Sequence, residues 1–184
     1  MANTLSLSVR IPKYVMRTMG AIIASIFLGM AAPLAVFIPF TPVPFVFQMQ
    51  LAFIFAAMLG PYYSVVMVGS FLLQGFVGLP VFAGGCAGSL LSPSLGYLIG
   101  YLFAARYMGY AFAGEKMSYT KSYFHVCMAN LIVYAFGVCY LQMFVGPYNA
   151  LLYGVVPFIV PDLMKNIFAA RFIAPLKSVY ESAA

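Results

Sequence analysis

Charge is what this sequence has least of. Only 7% of its 184 residues are charged, against about 25% in ordinary soluble domains. Acidic residues are scarcest: Glu115, Asp162 and Glu181 are all there are. There is one histidine, His125, and no tryptophan. These shortages exclude function classes. No His/Cys/Asp/Glu set has metal-ligand spacing, so no metal is expected. No P-loop and no Ser/His/Asp set is present. The chain reads as no enzyme, with no cofactor of its own; any ATP hydrolysis must come from another chain. The net charge is +6, but the basic residues form no cluster that would suit nucleic acid. The cysteines, Cys86, Cys127 and Cys139, form no CxxC pair; Cys127 and Cys139 read as small apolar filler.

What is there is apolar surface: 65% hydrophobic residues and a mean hydropathy of +1.02. The expected solvent is a lipid bilayer, and residues 1–184 read as one all-α membrane domain. The polar, basic start does not read as a cleavable signal, because the apolar run behind it is too long. At roughly 20 residues per crossing, six transmembrane helices are expected, over about 14–38, 46–59, 62–78, 96–113, 122–144 and 161–174. Pro39, Pro42 and Pro44 cannot continue the first helix, and Gly60-Pro61 marks a tight turn. Residues 79–95 are uncharged and glycine-rich. Irregular backbone at membrane depth must be buried in protein or line a cavity, so this stretch reads as a lid. The apolar segment 148–160 is too short to span and reads as a re-entrant or interfacial piece before the sixth helix.

The positive residues test this layout. Arg10, Lys13 and Arg17 lie at the start of the first helix. Arg106, Lys116 and Lys121 surround the connection between the fourth and fifth, and Arg171 and Lys177 follow the sixth. The connections after the first, third and fifth helices carry none. The positive-inside rule then puts residues 1–13, the tail 176–184 and both termini on the cytoplasmic side.

Lys165 is the exception, and it stands near Asp162. At i and i+3 the two share a helix face. Ionisable residues within a membrane are expensive and mark function. The sixth helix is short, so the pair is expected at the base of a cavity open outward. It can serve as a structural ion pair, a proton relay, or a two-handed site for a ligand with both N–H and C=O. In the last case Asp162 accepts and Lys165 donates. A small-residue stripe on the first helix, Ala21, Ser25 and Gly29, permits close helix approach. It suits packing within the chain and docking of a partner subunit equally. Gln74 reads as interhelical glue, and His125 as an interfacial structural residue.

Four stretches in order resemble the BioY family, the biotin-binding S components of energy-coupling factor transporters. They are Ile38-Pro39 with Pro42-Val43-Pro44-Phe45 and Gln48; Gly78-Leu79-Pro80-Val81-Phe82-Ala83-Gly84-Gly85; Pro93 with Gly96-Tyr97-Leu98; and Pro161-Asp162 with Lys165, Ala169 and Ala170. The resemblance implies a multi-pass plasma-membrane subunit of bacterial type that captures biotin and delivers it through a membrane coupling protein and two ATPase subunits. Biotin's ureido ring carries two N–H groups and a C=O, which suits Asp162 and Lys165. Phe82 and Tyr97 would pack on the bicyclic ring, with Gln48 and Asn149 as polar contacts. The stripe Ala21, Ser25, Gly29 looks like the family's docking surface for the coupling protein. Cys86 stands where relatives carry a basic or polar residue, leaving the biotin carboxylate to backbone N–H groups of 84–89 or to Ser and Asn side chains. The competing readings are an S component for another vitamin and a solitary, gradient-driven biotin carrier.

Overall fold

The computed structural model describes residues 12–37, 39–88, 92–114 and 118–183. Its helices are α1 (Lys13–Met30), α2 (Gln48–Phe76), α3 (Leu95–Ala111), α4 (Tyr119–Val145), α5 (Pro147–Gly154) and α6 (Ile159–Ala183). Expectations on residues 1–11, Ile38, 89–91, Glu115–Met117 and Ala184 lie outside the described residues. Among the described residues, four helical stretches are long and apolar enough to cross a membrane: Lys13–Met30, Gln48–Phe76, Tyr119–Val145 and Pro147–Ile173.

The packing is inverted relative to a water-soluble protein. Ala21, Ala52, Ala56, Ala104, Ala105, Ala129 and Ala170 are buried, while Met16, Met30, Phe103, Phe124, Leu131 and Phe168 face outward. Large apolar groups outside need an apolar solvent, and small ones inside let backbones approach closely in lipid. This is a multi-pass membrane protein.

The 29 residues of α2 would reach about 43 Å as one straight helix. Yet the Gln48 amide, at its start, donates to the carbonyl of Val81, beyond its end, at 2.8 Å. The chain therefore reverses inside α2, at Gly60, whose φ of 79° and ψ of 174° are not helical. Pro61 follows and can open the second arm, since its missing donor costs nothing there. The arms 48–59 and 61–76 flank α1: Gln48 also donates to Leu28 O at 2.7 Å, and Gln74 to Ser25 Oγ at 2.8 Å.

Three boundaries differ from expectation. The first helix stops at Met30 rather than near 38. Beyond it, Ala35–Val36 (β1) pairs antiparallel with Phe45–Val46 (β2), Ala35 opposite Val46. The proline stretch is thus the loop of a small hairpin. The last helix does not stop near 174: α6 continues through Pro175 to Ala183. Proline removes one backbone bond, a loss that membrane helices tolerate. Before α6 come α5 and a short 3-10 turn, Val156–Phe158, and α6 opens at Ile159 rather than at 161, taking in the end of the segment 148–160.

The stripe Ala21, Ser25, Gly29 faces inward, which corrects its reading as a docking surface. Ala21 and Ser25 are fully buried. A Cβ on Gly29 would sit 2.8 Å from Val81 Cγ1. The stripe is occupied by the chain's own α2 and the loop after it.

Candidate functional site

One end of the molecule holds a cavity of about 210 Å³. Its walls come from the β hairpin, the two ends of α2, residues 82–88 with Ser92 and Ser94, α3, α4 and α6. At the floor, Asp162 and Lys165 are 4% and 7% exposed. They are the charged residues among those lining the cavity. Lys165 Nζ lies 2.6 Å from Asp162 Oδ1, donates to Val46 O at 2.8 Å, and stands 3.9 Å from the centre of the Phe45 ring. The hairpin therefore matters to the site: it carries both Val46 and Phe45 over α6. An ammonium has three donors, so two oxygen partners leave one for a ligand carbonyl.

Asp162 is held from the other side by α4. Tyr134 Oη donates to Asp162 Oδ2 at 2.5 Å, and Asn130 Nδ2 donates to the same oxygen at 3.5 Å. Oδ2 is thereby supplied with donors, whereas the buried Oδ1 has the ion pair but no aligned hydrogen bond. Each carboxylate oxygen can accept more than one donor, so Oδ1 is the acceptor free for a ligand N–H. Tyr134 and Asn130 were not candidates from the sequence. Their signal was their i, i+4 spacing, which puts both on one face of a helix.

Gln48, Phe82, Tyr97, Asp162 and Lys165 all line the cavity. The Gln48 amide nitrogen is committed to two backbone carbonyls, so it ties α1 to the loop after α2 and leaves only its oxygen for a ligand. Tyr97 is wedged between Gly137 and Gly154, where a Cβ would come within 2.3 Å of it. Its hydroxyl donates to Gly154 O at 2.8 Å, so the ring is what it offers the cavity. Phe82 packs edge-on against Phe71. Asn149 is a correction: it is not among the lining residues. Its amide donates back to Val145 O at 3.0 Å and closes the end of α4.

The loop 79–88 folds over protein. Gly84 N donates to Ala32 O and Gly88 N to Gly75 O, each at 2.9 Å. Phe82 N and Cys86 O bond at 3.0 Å. Gly85 N is spent on Phe82 O. The N–H groups of Gly84, Gly85 and Gly88 are thus committed to backbone; Ser89 lies outside the described residues. Cys86 and Ala87 are exposed and mark the mouth. Among the described residues, no His/Cys/Asp/Glu group could hold a metal ion.

A family model described as the BioY family matches residues 3–182. The chain belongs to the BioY family. The biotin transporter BioY of Thermotoga maritima is 38% identical over 146 residues, covering 77% of this chain and 85% of that one. The probable biotin transporter BioY of Pyrococcus horikoshii is 34% identical over 126 residues, covering 67% and 74%. A crystal structure of the S-component for biotin from an ECF-type ABC transporter superposes with a TM-score of 0.78 at 25% identity, covering 97% of this chain and 95% of that one. These relatives are transporters, not enzymes. The BioY likeness thus spans the hairpin, the lid loop and α6 together, the three parts that meet at the cavity.

Proposed function

We propose that this chain is the biotin-binding membrane subunit of a vitamin uptake system in a bacterial-type plasma membrane. It takes biotin from outside into the cavity over Asp162 and Lys165. The observation that carries this reading is the buried ion pair at the cavity floor, with Asp162 Oδ1 free to accept. An ion pair buried only for structure seldom recovers its desolvation cost. Here Asp162 Oδ1 accepts a ureido N–H, Lys165 donates to the ureido carbonyl, and Phe82 and Tyr97 pack against the rings. Gln48 contributes at most its amide oxygen.

The domain covers 1–184 and crosses the membrane six times, by α1, the two arms of α2, α3, α4 and α6, with α5 re-entrant. Support comes from where the basic residues lie. Arg171 stacks on Tyr119 at the start of α4, and Arg106 bonds Tyr110 near the end of α3. Gly109, beside them, packs against the Gly60-Pro61 reversal. That end is opposite the cavity, and the positive-inside rule makes it cytoplasmic, with both termini. Energy comes from partners, a membrane coupling protein and two ATPase subunits; the chain needs no cofactor itself.

The inward-facing stripe on α1 favours a second reading, a solitary carrier driven by an ion gradient. Reconstitution with and without an ATPase module separates the two.

The test of the site is equilibrium binding of labelled biotin to the purified protein and to Asp162→Asn. The expected outcome is tight binding by the wild type and a loss of at least about 100-fold in the variant, since a hydrogen bond to a charged group and its partner's balance both go. Equal affinity in a folded variant would reject the site.

A further inference from the structure

Among the described residues, the tyrosines that line the cavity are Tyr97, Tyr101 and Tyr134. Two of them have spent their hydroxyls on the protein. Tyr97 Oη donates to Gly154 O, and Tyr134 Oη donates to Asp162 Oδ2. Tyr101 has not. It is 5% exposed, yet among the described residues no hydrogen bond reaches its hydroxyl.

The position of Tyr101 follows from α3. Tyr97 and Tyr101 are four residues apart and share a face of that helix. Gly100 lets α3 close on α4, since a Cβ there would lie 2.9 Å from Val133 Cα. This contact sets Tyr101 at the level of Val133 and Tyr134, which line the same cavity. Tyr101 is close enough to Asp162 to interact with its charge. A buried hydroxyl without a partner is costly. At a cavity wall the partner is whatever enters, water first and then the ligand.

The biotin reading leaves a place for this group. A ureido ring brings two N–H groups and one carbonyl. Asp162 Oδ1 takes one N–H and Lys165 takes the carbonyl, so one N–H lacks an acceptor. Asp162 Oδ2 is already supplied by Tyr134 and Asn130. A tyrosine hydroxyl can accept as well as donate. The neighbouring carboxylate attracts the hydroxyl hydrogen and leaves the lone pairs for a ligand. Gln48 Oε1 is the rival acceptor, because only its amide nitrogen is committed.

We propose that Tyr101 determines specificity at this site: its hydroxyl accepts the ureido N–H that Asp162 does not take. The site then selects ring compounds in which both ureido nitrogens carry hydrogen. This rests on the biotin reading above and deepens it.

The experiment is equilibrium binding to purified wild type and Tyr101→Phe. The ligands are biotin and two analogues, each methylated at one or the other ureido nitrogen. Thermal unfolding of both ligand-free proteins is measured beside it. Tyr101→Phe is expected to weaken biotin binding about tenfold, the usual worth of one hydrogen bond. The ligand-free variant is expected to unfold at no lower temperature than wild type, because no internal bond is lost. One methylated analogue has already lost the N–H in question. It is expected to bind wild type and variant within about twofold of each other, while the other keeps the tenfold difference. Biotin affinity within about twofold of wild type in the variant would overturn the inference and give the N–H to Gln48 Oε1. A fall in the ligand-free unfolding temperature alongside the lost affinity would overturn it too, since the hydroxyl would then be a structural prop. So would an equal tenfold loss with both analogues. Failure of biotin itself to bind folded wild type would instead overturn the biotin reading, and the inference with it.

Discussion

The crossing of α3 over the Gly60 reversal and the floor at Asp162 hold the molecule together by opposite means. At Gly109 a missing side chain does the work: a Cβ there would lie 2.6 Å from the backbone of Gly60 and Pro61. At Asp162 added polar groups do it, from Lys165, Tyr134 and Asn130. Lipid explains both. Apolar side chains gain nothing by leaving lipid for protein, so helices are held by close backbone contact or by polar bonds. Close contact serves at the reversal, and polar bonds serve at the floor, where Asp162 and Lys165 line the cavity.

The comparison is broken most severely at its packed end. Gly109→Val puts a branched side chain against backbone atoms that cannot rotate away. The expected cost is about 3 kcal/mol, the upper range for overpacking, read as a large fall in thermal unfolding temperature in detergent. A variant as stable as wild type would mean that α3 does not cross the reversal this closely.

At the floor the effect is smaller and falls on binding. Tyr134→Phe removes the hydroxyl that supplies Asp162 Oδ2 and leaves the ring. A hydrogen bond to a charged group is worth about 1.5–3 kcal/mol, and Asn130 retains part of the support. The expected loss of biotin affinity is about tenfold, with little change in thermal stability. The reverse pattern, lost stability with affinity kept, would make Tyr134 a structural prop only.

How much of this was legible follows from scarcity. Asp162 and Lys165 stand out because charge is so rare, and their i, i+3 spacing makes them neighbours without any tertiary information. The reversal at Gly60-Pro61 was legible because a left-handed glycine beside a proline ends a helix locally. The partners on α4 were not. Tyr134 and Asn130 are 28 and 32 residues from Asp162, and a Tyr or Asn within an apolar helix looks the same whether it meets lipid headgroups, another helix or a carboxylate. The stripe on α1 shows the same limit from the other side. Small residues at fourfold spacing suit any close neighbour, inside the chain or outside it. The choice is made by the structure, where the Gln74 amide donates to Ser25 Oγ at 2.8 Å. Pro175 misled because the cost of an interior proline was read as in water, where it stops a helix more often than it does in a membrane.

Asn149 gives the smallest effect and the sharpest edge to the comparison. It lies in α5, one turn after Val145, and its amide donates to that residue's carbonyl at 3.0 Å. That carbonyl is in the last turn of α4, where no intrahelical donor remains. The side chain thus belongs to the packed scaffold, although family resemblance made it a ligand contact. A single neutral hydrogen bond at a half-exposed position contributes about 0.5–1 kcal/mol. Asn149→Ala is therefore expected to lower thermal stability slightly and to leave biotin affinity within about twofold. Binding titration beside Tyr134→Phe checks it. A tenfold loss of affinity in Asn149→Ala would place α5 in the cavity wall, and the polar floor would then extend from α6 through α4 to the re-entrant segment.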